Sequence, residues 1–558
     1  MADTSFRNFI KLAGIILFLQ AIFSCQSKNT VDAYIPSDAG AVLIINNKNI
    51  ATKLLFENIN DLDFKSILES FFGTQIDSAN QYPLGNAILE NPTDLGIDLM
   101  HNVYLYIGND NSPKEWVGGI YWKMSNAKHF ESFLENKIPP SIDLKITNED
   151  DFKIGELGER KMRFAWNEDI LVTFFPLHKK TQSKYIEEKI TSIFSLSEDK
   201  SILADTNYAN LTVNEKDLTL HIKPENITRF TQEVFPTEFL SDDIEYANFT
   251  VGFEKGTIEC DITQVLEKNS VGYYENLLNG NSHIDLCQSI DGDKLIGFIN
   301  FKYNKGVVPE FVKAYNLKLA VKALSIITGI PEKDLYTLSD GDLFISYSEN
   351  TIVEKEVISY EFDDNFEKTE VTKIEKTSQP NFVIGISTGP KMSHILARLE
   401  KDGLLLKDRD VYNLKEILGY NTYITHKGSK LLITTDTVVV KNFNDDNLTP
   451  KLNNFQKLAS KFPISAYLDF DKFNEEFPDI SYSKLRRKDI TSLSEVLKST
   501  SFYTYPISGT EINSGIQIDF DNENENGFIG LVKFINIILK REEKNRQKLT
   551  SANTKTYY

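Results

Sequence analysis

The chain has 558 residues, 41% of them hydrophobic and 25% charged, with a formal net charge of −19. That length exceeds one ordinary core and predicts at least two domains, and the composition is that of a globular chain rather than a disordered one. An acidic balance of this size excludes nucleic acid and anionic membrane surfaces as partners, because phosphate binding needs clustered Lys and Arg.

At the N-terminus, Arg7 and Lys11 lead into an apolar run from Leu12 to Phe23. About a dozen helical residues reach roughly 18 Å, well short of the ~30 Å hydrocarbon core, so the run reads as a secretory signal rather than a span. The "IFSC" at its end, closing on Cys25, resembles the lipobox of bacterial lipoproteins. That resemblance implies that residues 1–24 are a signal peptide. It also implies that the Cys25 thiol carries acyl chains such as palmitate, and that Cys25 is the mature N-terminus. Gln26 stands where an Asp would signal inner-membrane retention, so the resemblance favours the outer membrane; whether the protein faces the periplasm or the surface stays open. Residues 25–33 read as a short polar tether.

Beyond the tether a unit recurs: an alternating apolar strand, a short polar turn, then a helical pattern. It occurs at "AVLIINNKNIATKLL" from Ala41, "VGGIYWKMSNAKHFESFL" from Val117 and "LTLHIKPENITRFTQEVF" from Leu218. It returns at "LIGFINFKYNKGVVPEFV" from Leu295, "FVIGISTGPKMSHILARL" from Phe382 and "SAYLDFDKFNEEF" from Ser465. The segments between them match as well, "KMRFAWNEDILVTFF" with "NTYITHKGSKLLITT" as strand, tight turn, strand. The predicted fold class is therefore α+β, with two tandem, mutually similar halves at 34–285 and 286–545. Each half is a mainly antiparallel sheet whose strand–helix units pack their helices on one face. Residues 351–380 have no long counterpart in the first half and read as a projecting hairpin or a linker. "FIGLVKFINIIL" near the C-terminus reads as a packed helix rather than a span, and residues 546–558 as a polar tail.

"AYIPSDAGAVLIINNKNIATKL" is similar to the opening of a Bacteroidota lipoprotein family catalogued only as a domain of unknown function (4836-type). The resemblance covers most of the mature chain and supports location and architecture. It brings no catalytic residues.

"GISTG", Gly385 to Gly389, fits the G-x-S-x-G nucleophile elbow and lies between a strand and a helix. Ser387 would be the nucleophile and His426 the base, with Asp436, Asp402 or Asp410 as the acid. The strand–turn–helix junction recurs elsewhere with Asn46, Lys123, Lys223, Lys302 and Asp469 near the turn, so the repeat alone also explains the context. The seven histidines never form a close pair, which leaves no H-E-x-x-H zinc motif. "DFDNENENG" sets Asp519, Asp521 and Glu523 at alternate places but has Asn524 where a calcium loop has its turn glycine, and reads as a polar hairpin turn. Cys260 shares parity with Ile258 and Ile262 and should face a core. A disulfide to Cys287 would contribute about 3 kcal/mol in the entropic model, and the spacing leaves bonded and unbonded states open. Trp116 and Trp166 stand beside polar turns, where an exposed ring could stack on sugar; core packing is the alternative.

These residues predict no metal and no cofactor. The resulting expectation is a lipid-anchored cell-envelope protein of unknown activity, a non-catalytic binding or assembly scaffold attached to the membrane through its N-terminal lipid. The alternatives are a serine hydrolase using Ser387, and an accessory lipoprotein that binds a glycan or protein partner for nutrient uptake.

Overall fold

The computed structural model describes residues 30–54, 95–108, 117–138, 140, 143–157, 162–177, 183–211, 216–226, 243–279, 285–314, 317–362, 368–417, 420–445, 454–476 and 496–540. Cys25 and Trp116 lie outside them. The described residues fall into two compact units, one holding those through Ala51 and those from Leu95 to Asn226, the other those at 52–54 and from 243 onward.

In the first unit the strands are β1 (Ala41–Ile45), β2 (Val103–Ile107), β3 (Val117–Lys123), β4 (Leu144–Asn148), β5 (Lys153–Leu157), β6 (Met162–Trp166), β7 (Ile170–Pro176) and β8 (Leu218–Ile222). All pairings are antiparallel, in the order β8–β1–β2–β3–β7–β6–β5–β4. Helices fill the connections: Asn47–Leu54 after β1, Ala127–Asn136 after β3, and Ser183–Phe194 with Thr206–Leu211 between β7 and β8.

The expectation of helices on one face of each sheet is corrected here. Neighbouring residues of a strand point to opposite faces, and neighbours such as Tyr121 and Trp122, or Leu171 and Val172, belong to different cores. One core takes Ile186, Ile190 and Ile193 from the helix Ser183–Phe194; the other takes Phe130, Phe133 and Leu134 from the helix Ala127–Asn136. The reason is legible in β7, whose "ILVTF" is buried at every position. A strand covered on both faces needs a continuous apolar run, not an alternating one.

The second unit contains β9 (Ile244–Glu254), β10 (Thr257–Leu266), β11 (Leu295–Lys302), β12 (Ser339–Phe362), β13 (Lys368–Thr388), β14 (Leu405–Asp408), β15 (Val411–Ile417), β16 (Tyr420–Lys427), β17 (Lys430–Thr434), β18 (Ile464–Asp469), β19 (Leu497–Thr504) and β20 (Glu511–Phe520). Their order is β9–β10–β20–β19–β18–β11–β12–β13–β17–β16–β15–β14, again antiparallel throughout. Here too both faces are covered: Leu432 packs with Val439 and Phe443 of the helix Thr437–Asn444, and its neighbour Leu431 with Met392 and Leu396 of the helix Met392–Lys401.

Residues 351–362 and 368–380 lie on the outer lengths of β12 and β13, which stay paired from Thr351↔Gln379 to Phe362↔Lys368; residues 363–367 lie outside the described residues. Residues 527–540 are helical, with Ile529 and Val532 buried; no described helix is long and apolar enough to cross a membrane. At the other end the tether is shorter than its assigned 25–33. Val31–Tyr34 forms a 3₁₀ turn with Val31 and Asp32 buried, because its apolar side chains join the first core.

Candidate functional site

β1, β2 and β8 lie side by side, so that Ile45 pairs with both Val103 and Leu218. The chain leaves β1 at Asn46, whose backbone N–H donates to the Asp217 carbonyl (2.9 Å). Its side-chain Oδ1 accepts from the Asn49 N–H (3.1 Å) and so caps the helix Asn47–Leu54. Above these strand ends lies a cavity of about 220 Å³, lined by Asn46, Lys48, Asn49, Asn102, Tyr104, Lys216 and Thr219 among others. Its walls offer amide, hydroxyl and ammonium groups, a set that can hold a small polar ligand by hydrogen bonding.

Behind the cavity wall sits a buried carboxyl. Asp32 is 6% exposed. It accepts hydrogen bonds from the Tyr104 hydroxyl (3.4 Å) and the Tyr208 hydroxyl (3.5 Å). Burial pushes the Asp32 carboxyl above its ordinary value, and only in part do hydrogen bonds pull it back. Both phenols are pushed up as well, by burial first and by the Asp32 charge second. Nearby, Lys223 bonds Asp205 at 2.6 Å. Burial of Asp205 opposes its ionisation, but the Lys223 bond and charge outweigh it and hold this carboxyl below the usual range. The Asp32 cluster escaped the sequence reading, which assigned Asp32 to the tether. The available signal was "VDAYI", an acid set among apolar residues just before the first strand.

The sequence-predicted serine is placed differently from an elbow nucleophile. Ser387 lies inside β13, paired with Lys430, is fully buried, and donates to Asp342 Oδ2 (3.3 Å). His426 on β16 reaches the adjacent residue instead: its Nε2 lies 3.1 Å from the Thr388 hydroxyl and its Nδ1 3.4 Å from that of Ser393. A nucleophile elbow needs a strained turn, whereas the described residues hold one non-glycine at positive φ, Arg409. The motif's second glycine has a packing reason, since a Cβ on Gly389 would stand 2.4 Å from the Thr337 carbonyl oxygen. Asp436 is a helix N-cap, accepting from the N–H groups of Val438 (2.8 Å) and Val439 (3.4 Å). Asp402 ends the helix Met392–Lys401, 3.7 Å from Arg398, and Asp410 accepts from Thr425 through its backbone carbonyl (3.4 Å). The motif serine, the histidine and the candidate acids are thus not brought together.

The remaining candidates sort as follows. Cys260 and Cys287 are joined by no disulfide. Cys260 sits mid-strand between Val251 and Ile516, and Cys287 packs in the core with Phe298 and Phe344. Trp166 is corrected from a sugar-stacking candidate to a core residue: it is 1% exposed, stacks on Phe164 and meets Phe130 edge-on. Asp519 accepts from Ser499 and Gln517, and Glu523 pairs with Lys498; among the described residues no three potential ligands cluster as a metal site would need. The junction lysines meet acids, Lys123 with Asp169 (3.2 Å) and Lys223 with Asp205. Lys302 is buried against the charge of Asp342 and donates to the Ser460 carbonyl (2.7 Å).

The fold defines an α+β protein built on extensive antiparallel sheet. A family model described as a domain of unknown function (DUF4836) matches residues 32–272. No curated protein matches the chain. Among solved structures, crystal form IV of TP0453 is 10% identical, covers 45% of this chain and 86% of its own, and superposes with a TM-score of 0.26. Crystal form I of TP0453 is 11% identical, covers 43% and 80%, and reaches 0.27. A superposition that loose carries no argument about fold or function.

Proposed function

We propose that this is a lipid-anchored cell-envelope lipoprotein of the Bacteroidota type, held at the outer membrane through Cys25, which binds a ligand rather than transforming one. The anchor reading rests on the "IFSC" sequence ahead of a short polar stretch. The non-catalytic reading is carried by one observation: the motif serine is buried in a paired strand and bonded to Asp342, while His426 engages Thr388 and Ser393. A general base must reach the proton it removes. The cavity over β1, β2 and β8 is the ligand site of this reading.

The second part of the proposal is that the chain is a tandem duplication. In chain order, the strands β1 to β8 and β11 to β18 pair in the same sequence: β8–β1–β2–β3–β7–β6–β5–β4 matches β18–β11–β12–β13–β17–β16–β15–β14 place for place. Helices follow β1, β3 and β7 as they follow β11, β13 and β17. Eight strands offer so many orders that a shared one supports common descent of the halves.

Two measurements test the function. Cells fed labelled palmitate are expected to label the wild-type chain and not Cys25→Ser; an unlabelled wild type overturns the anchor. The purified chain is expected to turn over no ester in a fluorogenic panel, and Ser387→Ala to behave identically. Serine-dependent turnover overturns the binding reading in favour of a hydrolase.

A further inference from the structure

The cavity over β1, β2 and β8 has a lining out of keeping with the rest of the chain. Acids outnumber bases overall, 80 to 61. Yet the charged side chains among the described lining residues are Lys48 and Lys216, with no carboxylate beside them. The amides of Asn46, Asn49 and Asn102 and the hydroxyl of Thr219 make up most of the remaining polar surface. Two acids come near without lining the cavity. Asp217 is buried at 1% exposure, and Asp32 has its oxygens engaged by the hydroxyls of Tyr104 and Tyr208.

The second unit shows the same strand junction with an anion of the chain's own. Ile45 pairs with Val103 and Leu218, and Phe301 correspondingly with Leu343 and Ile464. One residue further on, the backbone N–H donates across in both units: Asn46 to the Asp217 carbonyl (2.9 Å), Lys302 to the Pro463 carbonyl (2.7 Å). Asn46 and Asn102 therefore stand where Lys302 and Asp342 stand, and Lys216 where Phe462 does. In the second unit these places are filled. Lys302, Asp342 and Phe462 are each at most 5% exposed, and the Lys302 ammonium lies within the field of the Asp342 carboxylate. In the first unit the acid's place holds a neutral amide, and a cavity of about 220 Å³ bordered by lysines stays open.

We infer that this cavity takes a small oxyanion, a carboxylate or phosphate on a body about the size of a monosaccharide. Both groups accept charge-assisted hydrogen bonds from ammonium and amide N–H donors, the donors that Lys48, Lys216 and the asparagines carry. Size follows from volume, since about 220 Å³ falls below the ~300 Å³ at which sites for drug-sized ligands begin. The cavity is here the ligand site proposed above; what is added is the charge of the ligand.

Calorimetric titration of the detergent-solubilised full chain with D-glucose, D-glucuronate and inorganic phosphate tests this. Glucuronate carries a carboxylate where glucose has a hydroxymethyl group, so that pair isolates the charge. Glucuronate or phosphate is expected to bind at least about tenfold more tightly than glucose, as a hydrogen bond to a charged group supplies, and whichever does names the anion. Lys48→Gln and Lys216→Gln should each weaken that binding at least about tenfold. Asn102→Asp, which gives the first unit the acid of the second, should abolish it. Unchanged circular dichroism and melting temperature show that the variants are folded. Silence from every probe overturns the inference, as does binding indifferent to all of these substitutions. Glucose bound as tightly as the anions overturns the charge and leaves the cavity a ligand site, whereas serine-dependent ester turnover overturns the binding reading whatever the anions do.

Discussion

Asp32 and Asp205 lie in the same unit and are perturbed in opposite senses. Burial holds the Asp32 carboxyl above its unfolded value, near pH 4 for a free aspartate. Its contribution to stability is full below that pH and is lost as pH rises through the folded value. Asp205 is held below its unfolded value by Lys223 despite its burial. Its contribution is present above about pH 4 and is lost as pH falls through the folded value. Melting temperature against pH should therefore fall less steeply on the alkaline side in Asp32→Asn than in wild type, and less steeply on the acid side in Asp205→Asn. Parallel curves for wild type and Asp32→Asn would mean that the buried carboxyl does not titrate with folding. None of this is visible in sequence. Asp32 stands in a stretch that reads as a polar tether, and its shift comes from burial in the folded core, which the bonds from Tyr104 and Tyr208, remote in the chain and adjacent only in the fold, offset in part.

Single helices and strands were more legible than single side chains, because their signals are periodic. The strands that open the units at Ala41, Val117, Leu218, Leu295, Phe382 and Ser465 lie in β1, β3, β8, β11, β13 and β18, and most of the helical part of the Leu218 unit lies outside the described residues. Asn126 caps the helix Ala127–Asn136 through the Lys128 N–H (3.0 Å). The motif "GISTG" lies between a strand and a helix, as its sequence context has it, but its chemistry could not be read from that context. "GISTG" spans a paired strand end, and its serine and glycines serve a strand and a close backbone approach. Asp436 makes the same point. Its carboxylate caps the helix Thr437–Asn444, so Asp436→Ala should lower stability by about 1 kcal/mol, as cap removal does, with no loss of any hydrolytic signal. Denaturant unfolding measures the first, and an unchanged midpoint would remove the cap from the account. The one-face expectation failed for a related reason. A run such as "ILVTFF" satisfies alternation on either face, and only a second helical layer shows that both are buried.

At the scale of the molecule, the described cores are separate: two are built from first-unit residues and two from second-unit residues. Calorimetry should accordingly resolve two unfolding transitions. Trp166→Ala, which empties a site between Phe130 and Phe164, should lower one of them by roughly 3–5 kcal/mol and leave the other in place. A single transition shifted as a whole would show instead that the units unfold together.

Sequence by itself determined the α+β class, the recurring strand–helix unit and the lipobox-like stretch ending at Cys25, since each is a local pattern of polarity and residue type. Tertiary structure alone decided strand order, the burial of both sheet faces, and the fate of Ser387 and Trp166. Each depends on contacts between residues far apart in the chain, and cross-strand register, unlike periodicity, is set by the partner strand.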